Sequence, residues 1–377
     1  MDTTRRTILT GLLILAAWAA PAPAVVLHPA SPPVPASLRP NDGMIGRWGL
    51  NASCVAIGAD LVLTTIHQDD GDPFSPRTVE IDGVSYTATV QSDHVGGGTT
   101  PWTEIRLARL TLDGEPADLA YWADLFTAAD GSVDGRLVAI GGYGKGRGQA
   151  LATATGQVYG YRWASSGNNT LRWGQNVTAL TTEDVVGCLF DGPDVDPTVV
   201  SEATVADYDS GGGWFTQVNG RWRLLGLTLG TQHATIKQSW FATTDSAAPN
   251  PDWLSALRID VYAPWIEEMA KSLAPQPGDA DRDGDVDFDD LVALASHYGA
   301  AAGAGWSKGN FDGDGDVDLA DLGLMASSYG LGSPVALDFQ ADLEAAWSVP
   351  EPSALALLAA GGACLRRRRA SFRAVRR

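Results

Sequence analysis

The stretch that decides the fold is Asp207-Tyr208-Asp209-Ser210-Gly211-Gly212-Gly213, in which one serine lies between an aspartate and three glycines. Glycine adopts tight backbone conformations that other residues avoid, so this composition is typical of a nucleophile held on a turn. A serine hydroxyl is a weak nucleophile by itself and needs a base within hydrogen-bond reach. A histidine base and an acidic partner are therefore expected elsewhere in the chain.

Two upstream segments can supply those groups. The apolar strand pattern of residues 58–66 ends in His67, and Glu104 opens the apolar segment 104–110. The order is histidine, acid, serine, with steps of 37 and 106 residues. A neutral imidazole is suited to act as a base near neutral pH, and a carboxylate can hold its other ring nitrogen in the required tautomer. Asp93 is an alternative acid, but it lies outside the strand motif.

The region around these groups, residues 44–274, has the pattern of a β-rich barrel or sandwich. Short apolar runs alternate with Gly, Asp, Asn and Thr, which is typical of strands separated by turns. Near its end, residues 262–271 are good helix formers with Pro264 suited to a first helical turn, so a single closing helix is expected. The clearest predicted strands are residues 54–57, 61–65, 105–110, 137–140 and 224–229.

Region 44–274 resembles the trypsin/chymotrypsin-like serine proteases. The matching motifs, in order along the chain, are Thr64-Thr65-Ile66-His67, Glu104-Ile105-Arg106-Leu107, Tyr208-Asp209-Ser210-Gly211-Gly212, the strand at 225–230 and the closing helix. The resemblance implies a mainly β fold, a chymotrypsin-like double β-barrel with a C-terminal helix. It also implies hydrolysis of peptide bonds in a protein or peptide substrate, without a cofactor for the catalysis.

The resemblance assigns roles to individual residues. His67, Glu104 and Ser210 match the catalytic triad, and the N–H groups of Tyr208 and Ser210 match the oxyanion hole. Glu104 stands where the family has aspartate and Tyr208 where it has glycine, so a positive φ at Tyr208 would strain a bulky residue. The residues that match the primary substrate pocket are Thr204, Thr228 and Gly230.

In this family the aspartate before the serine, here Asp209, pairs with an N-terminus released by cleavage. The chain offers only Met44-Ile45-Gly46 as such a start, with no basic residue immediately before it. Zymogen activation is therefore not expected. Thr204 in the pocket also argues against a strict preference for Lys or Arg in the substrate.

Residues 278–330 contain a repeat with a period of 31 residues. Each copy has oxygen-bearing side chains at positions 1, 3, 5, 9 and 12 and glycine at position 6, the spacing that wraps a calcium ion in an EF-hand-like loop. Position 7 contributes its carbonyl in such loops. Two calcium sites are predicted, each followed by an apolar helix, at 291–298 and 322–329. The residues are Asp279, Asp281, Asp283, Asp285, Asp287 and Asp290 in the first copy, and Asn310, Asp312, Asp314, Asp316, Asp318 and Asp321 in the second.

The repeat pair resembles a type I dockerin, a small α-helical EF-hand-like module, which implies docking to a cohesin-like partner. Positions 10 and 11 would recognise that partner, and they are Phe288-Asp289 and Leu319-Ala320. The loops also account for much of the formal net charge of −19, since residues 279–321 hold twelve aspartates against Arg282 and Lys308. The acidity is local and indicates cation binding, while nucleic-acid binding has little support.

The two ends of the chain have the composition of targeting segments. Residues 1–24 combine Arg5 and Arg6 with an apolar stretch and a small-residue cleavage site, a secretory signal peptide. Residues 25–43 are a Pro-rich spacer, expected to be extended and poorly packed. Residues 331–348 are expected to be a linker. The tail, 349–377, has Val349-Pro350-Glu351-Pro352, an apolar run and an arginine cluster.

This tail resembles a PEP-CTERM sorting signal, which implies processing by an exosortase. Its apolar run is short for a stable membrane span, so only transient membrane association is expected. The chain is predicted to be exported, and to end at the cell surface, in an extracellular matrix or in the medium. Cys54 and Cys188 are expected to be buried thiols, although one bridge between them is left open.

The sequence thus predicts an exported serine endopeptidase with a His-Glu-Ser triad, tethered or docked through a calcium-binding module. The alternative from another functional class is a binding or scaffolding protein whose protease fold is inactive and which acts through its dockerin-like module.

Overall fold

The computed structural model describes residues 25–68, 76–95, 104–165, 170–192, 195–273 and 275–348. For Gln68, Val95 and Glu104 it describes the backbone alone. The predicted signal peptide and sorting tail lie outside these residues. Within the described part of the chain, no helix is long and apolar enough to cross a membrane.

The strands occupy the region up to residue 258. The first nine are β1 (Val26–Leu27), β2 (Ile45–Trp48), β3 (Ala52–Ala56), β4 (Leu61–Thr65), β5 (Arg77–Ile81), β6 (Val84–Val95), β7 (Glu104–Leu112), β8 (Glu115–Pro116) and β9 (Asp124–Leu125). The remainder are β10 (Leu137–Gly142), β11 (Arg147–Ala152), β12 (Val158–Trp163), β13 (Arg172–Thr181), β14 (Val185–Leu189), β15 (Ala203–Thr204), β16 (Gly213–Val218), β17 (Arg221–Thr231), β18 (Gln238–Trp240) and β19 (Trp253–Arg258).

These strands form two closed six-stranded barrels. In the first, the order is β4-β3-β2-β5-β6-β7, and β7 pairs back with β4 to close it. In the second, the order is β16-β10-β13-β14-β19-β17, and β17 pairs back with β16. Closure leaves no unpaired strand edge within either barrel. The described chain is therefore mainly β, as a double-barrel fold requires.

The predicted strands have continuous apolar runs because both of their faces are buried. In β4, Val62 belongs to the core inside the first barrel, whereas Leu61 and Leu63 belong to the core between the two barrels. In β17, Leu225 lies in the core of the second barrel and Leu224 faces the first. Successive side chains point to opposite faces of a strand, so a barrel strand that also packs on a neighbouring barrel buries side chains on both faces.

The segment predicted to be a poorly packed spacer is packed, which corrects that expectation. Val25 and Val26 are fully buried, and β1 pairs antiparallel with β15, placing Val26 opposite Thr204. Further along, Val34 joins the core between the barrels and Trp173 Nε1 donates to Asp42 at 2.7 Å. Prolines keep this segment extended, but an extended chain can still add a strand to a sheet.

Four helices are described: α1 (Ile259–Leu273), α2 (Phe288–His297), α3 (Leu319–Ser328) and α4 (Phe339–Ser348). The closing helix α1 begins three residues earlier than predicted and contains Pro264 in its interior. Ile259 is fully buried between the barrels, so packing fixes where the helix begins. Helices α2 and α3 also begin three residues early, because Asp287 and Asp318 act as N-caps.

Helix α4 lies in the stretch predicted to be a linker, which corrects that expectation as well. Its residues Phe339, Leu343 and Ala346 pack with α2 and α3 in the small core of the repeats. Tyr329 donates from its hydroxyl to Asp342 at 2.9 Å. The repeat module therefore extends through residue 348.

Cys54 and Cys188 are free thiols, each fully buried in the core of a different barrel. Burial raises the pKa of both thiols, which disfavours the reactive thiolate. Because the two thiols lie in different barrels, no bridge joins them.

Candidate active site and acidic loops

The turn that carries Ser210 is held between the two barrels. Ser53, in β3 of the first barrel, donates from its amide to the Ser210 carbonyl at 2.8 Å and from its hydroxyl to the Tyr208 carbonyl at 3.0 Å. From the other side, a Cβ on Gly212 would come within 2.4 Å of the Gly141 carbonyl in β10. The glycine after the serine is equally required: Gly211 has φ +79°, and a Cβ there would come within 2.2 Å of the Ser53 carbonyl.

Tyr208 has a φ of +75°, a left-handed conformation that glycine adopts without strain. A non-glycine residue there costs about 1–2 kcal/mol. Its ring lies 4.9 Å from the Lys145 ammonium, a cation–π contact that offsets part of this cost. The strained conformation is maintained because Ser53 fixes the carbonyl of Tyr208.

His67 lies on a 3-10 turn, Ile66–Gln68, directly after β4. Its Nε2 is 3.0 Å from Ser210 Oγ, a hydrogen-bond distance between groups 143 residues apart. Burial lowers the pKa of His67 from its ordinary value of 6.5, so the ring is neutral at pH 7 and can accept the serine proton. The two side chains have the arrangement of a base and its nucleophile.

The third group of the predicted triad is described only through its backbone. Glu104 begins β7, where the next residue, Ile105, pairs with Thr65, so its backbone lies beside the His67 turn. The Nδ1 atom of His67 is buried and bonds to none of the described side chains, among which Glu104 is not included. Such an atom needs a partner, and the position of Glu104 in the register is suited to provide one.

The alternative acid, Asp93, is engaged elsewhere. Both of its carboxylate oxygens accept from Arg106, from Nε and Nη2, at 2.8 Å each. Arg106 in β7 is buried and lies directly opposite Asp93 in β6, so this bidentate pair bridges the two strands. Asp93 is therefore not the partner of His67.

Asp209 is buried beneath the turn, and the protein itself satisfies its carboxylate. Oδ1 accepts from the Gly144 amide at 2.7 Å and Oδ2 from the Ala206 amide at 2.9 Å. Burial raises the pKa of this carboxyl to about 7. A Cβ on Gly144 would lie 2.3 Å from the carboxylate carbon, so this approach requires glycine. These bonds hold Asp209 without a released N-terminus.

Several backbone amides lie on the turn around Ser210. Those of Gly211 and Gly212 donate to the carbonyls of Thr228 and Asp209, at 2.9 and 2.8 Å, and are thus occupied by the turn itself. The Tyr208 and Ser210 amides, which sequence analysis assigned to the oxyanion hole, lie on the same turn. The Ser210 hydroxyl also donates to the Leu229 carbonyl at 3.2 Å, a bond that a rotated, reactive hydroxyl would have to give up.

A cavity of about 470 Å³ opens beside His67 and Ser210. Trp163, Ala206 and Leu229 give it apolar walls. Its charged residues are Asp207 and Lys237, which form an ion pair with each other at 2.6 Å, and Asp207 also pairs with Lys145. The cavity is thus suited to an uncharged side chain.

Of the three predicted pocket residues, only Gly230 lines this cavity. Thr228 is fully buried, and its hydroxyl accepts from Trp214 Nε1 at 3.0 Å. Thr204 is fully buried in β15, beside β1. Sequence analysis missed Trp163, Lys237 and the supporting Ser53, because these residues are distant from the motifs and have no local pattern of their own.

The acidic loops bring some of the carboxylates of the predicted calcium sites together. Ligand atoms lie within 4.8 Å of one another in three sets, which are Asp279, Asp281 and Asp283; Asp285, Asp287 and Asp290; and Asp316, Asp318 and Asp321. In the second loop the fully buried Asn310 accepts the Gly313 amide at 3.0 Å, so its oxygen faces the loop backbone. The amides of Asp283, Asp285, Asp314 and Asp316 each donate to the carboxylate two residues earlier.

The aspartates at loop position 7, Asp285 and Asp316, indicate whether a cation fits these loops. One carboxylate oxygen of Asp285 and one of Asp316 are buried and have no partner among the described residues, in both loops alike. Burial and the neighbouring Asp314 and Asp318 carboxylates raise the pKa of Asp316 to about 6. Unpaired buried oxygens among mutually repelling carboxylates match the donors that a hard cation such as calcium prefers. Sequence analysis did not require these two side chains.

Comparison with known proteins identifies the tail. Residues 348–370 match the PEP-CTERM protein-sorting motif. No curated protein has detectable similarity to the chain. The motif marks proteins that are exported to the cell surface or the extracellular space and processed by an exosortase.

Proposed function

We propose that the chain is an exported serine endopeptidase in which Ser210 attacks a peptide carbonyl and His67 accepts its proton. The observation that carries this proposal is the 3.0 Å contact of His67 Nε2 with Ser210 Oγ at the mouth of a cavity between two barrels. An acyl-enzyme forms on the Ser210 oxygen, and His67 returns the proton to the leaving amine. Water then hydrolyses the acyl-enzyme.

Glu104 is the proposed third member, accepting a hydrogen bond from Nδ1 of His67 and stabilising the imidazolium that forms during the reaction. The proposal is supported by the buried Nδ1 atom of His67, which has no partner among the described side chains, and by the start of β7 beside the His67 turn. The amides of Tyr208 and Ser210 are the proposed oxyanion donors. Loss of one such donor costs about a hundredfold or more in rate.

The substrate preference we propose follows from the charges around the cavity. Asp207 is already paired with Lys145 and Lys237, so it offers no unpaired carboxylate to a Lys or Arg side chain of a substrate. Trp163 and Leu229 favour an apolar side chain. We expect cleavage after uncharged residues.

A fluorophosphonate probe tests the peptidase proposal, because it reacts only with an activated serine. The full chain should be labelled, Ser210→Ala should not, and Ser272→Ala, which alters an exposed serine at the end of α1, should be labelled like the wild type. Failure of the wild type to react, or equal labelling of Ser210→Ala, would favour the inactive scaffold instead.

We also propose that the two loops bind calcium and that the repeat module has a dockerin-like role. When bound, calcium would neutralise the carboxylates and fix the loop backbone. Docking to a cohesin-like partner stays a prediction. Its best candidate contact is Leu319, at position 10 of the second loop, whose side chain is 70% exposed.

A further inference from the structure

The repeats rest on the barrels over a defined surface. On the barrel side it consists of residues 117–122, between β8 and β9, and Arg221 at the start of β17; we call this the docking surface. The Trp122 amide donates to the Gly313 carbonyl at 3.1 Å, and the Asn310 side-chain amide donates to the Ala120 carbonyl at 3.0 Å. The contact therefore includes backbone groups on both sides.

Side chains extend this surface toward the first loop. Asp118 accepts from the Ser307 amide at 3.0 Å and from its hydroxyl at 2.5 Å. Arg282, in the first loop, donates to the Ala117 carbonyl at 2.8 Å. Several directional contacts over one surface favour a fixed placement of the module on the barrels.

The second loop is shaped for this contact in a way that the first is not. A Cβ on Gly313 would lie 2.0 Å from the Trp122 ring, and one on Gly315 would lie 2.1 Å from the Tyr121 ring. At position 6 of the first loop, Gly284 has nothing within 4 Å. Glycine at position 6 serves the loop turn in both copies, but only in the second does it also admit an aromatic ring of the barrels.

The same loop segment holds a proposed calcium ligand. Asp312, at position 3, pairs through Oδ2 with Arg221 of the docking surface, while its Oδ1 accepts the Asp314 amide at 3.3 Å. Its side chain is only 9% exposed. Residues 310–315 thus face the loop centre and the barrels together, so the shape of the loop governs both contacts.

We propose that the second loop is an intramolecular docking element, whose cation binding holds the repeats on residues 117–122 and Arg221 and thereby stabilises the barrels. This rests on the calcium binding proposed above. The partner of this face is the same chain, because Trp122, Tyr121 and Asp118 already fill it. A ligand that binds only the docked, ordered loop stabilises every element that must open with it.

Hydrogen–deuterium exchange of the full chain, with calcium chloride or with a chelator, measures this coupling directly. With calcium, exchange at the Trp122 amide should slow by at least about tenfold. The limit is a slowing of about 100-fold when the free calcium concentration is 100 times its Kd. Amides of β11 and β12, which do not contact the repeats, should be unchanged. Equal exchange at Trp122 under both conditions, when calorimetry shows calcium binding, would overturn the docking proposal and leave calcium binding intact.

A matched pair of variants separates docking from loop strain. Gly284→Ala and Gly315→Ala both place a Cβ at a positive φ, +100° and +90°, so they strain their loops to a similar extent. Only Gly315→Ala should abolish the calcium-dependent protection of Trp122. Similar behaviour of the two variants would contradict the proposal.

A third variant changes the docking surface and leaves the sequences of both loops unchanged. Trp122→Ala should reduce the calcium-dependent rise in melting temperature of the full chain by half or more, while Trp253→Ala, at an exposed tryptophan of β19, should not. A full calcium-dependent shift in Trp122→Ala would overturn the docking proposal. If calorimetry detects no calcium binding by the wild type, the proposed calcium function fails and the docking role fails with it, whereas fluorophosphonate labelling still tests the peptidase.

Discussion

The cleft that holds His67 and Ser210 and the acidic loops both gather polar side chains at one place, but they do so over different chain lengths. His67 and Ser210 are 143 residues apart and are positioned by separate barrels. Each loop assembles its side chains within twelve consecutive residues. In the first loop, Asp290 accepts the amides of Ala280 and Asp287 at 2.7 and 2.8 Å, so local hydrogen bonds define the loop. The cleft therefore depends on the whole β region, and the loops depend mainly on themselves.

A second comparison lies inside the module, where two loops with the same spacing of oxygen-bearing side chains differ in their neighbours. At position 6 of the first loop, Gly284 has no neighbour within 4 Å, whereas Gly315 at position 6 of the second loop lies against the Tyr121 ring. The repeated sequence therefore fixes the loop, whereas the docking surface decides which copy packs its position 6 glycine against an aromatic ring of the barrels.

The largest effect is expected from His67→Ala. Without its base, Ser210 should lose about a thousandfold or more in kcat/KM against an uncharged peptide substrate. Because the loops are defined locally, calcium affinity measured by calorimetry should stay within about twofold. A parallel loss of calcium binding would show that the cleft and the loops are not separate in the way described.

A smaller effect is expected from the loop carboxylates at position 12. Asp321 accepts the amides of Phe311, Asp312 and Asp318 at 2.6, 3.2 and 2.9 Å, and Asp290 has the equivalent three bonds. Replacing either by alanine leaves buried N–H groups without an acceptor and should cost about 1–3 kcal/mol of unfolding free energy.

The two loops can be compared through the losses of unfolding free energy in these two variants. In urea unfolding with calcium present, Asp321→Ala should be more destabilising than Asp290→Ala, since the second loop is also packed on the barrels. Equal losses would mean that docking adds nothing to the second loop.

The smallest effect concerns the pH dependence of the cleft. Burial lowers the pKa of His67, so the neutral base persists to lower pH than for an exposed histidine. The acidic limb of kcat/KM, which reports the free enzyme, should therefore have its midpoint below 6.5. A midpoint above 6.5 would contradict this and would indicate that the Glu104 carboxylate offsets the burial.

Much of the fold could be predicted from apolar patterning. Residues 61–65, 105–110, 137–140 and 224–229 all lie within strands, because a run of apolar side chains buried on both faces has few alternatives. The burial of Val25 and Val26 could not be predicted, since it depends on β15, which lies more than 170 residues away. Helix α4 was missed for a similar reason: its burial depends on contacts with α2 and α3.

The candidate site, like the fold, could be predicted from the sequence only in part. His67 and Ser210 were identified by their motifs and lie together, but Thr204 and Thr228 do not line the cavity beside them. The orientation of a strand residue toward a cavity changes with a shift of one position in register. The β-bulge between Thr228 and Gly230 in the β17–β19 pairing is such an irregularity, and it is invisible in the sequence.

The sequence by itself determined the features that arise from neighbouring residues: the glycine turn at Ser210, the twelve-residue acidic loops with their capping boxes, and the sorting tail. Hydrogen bonds over a few residues suffice to specify the loops, while the turn and the tail are recognised from the order and type of their residues. Only the tertiary structure decided that His67 reaches Ser210, that backbone amides hold Asp209, and that the second loop rests on Trp122. Those contacts join distant segments, and they exist only after the barrels have buried their apolar strands.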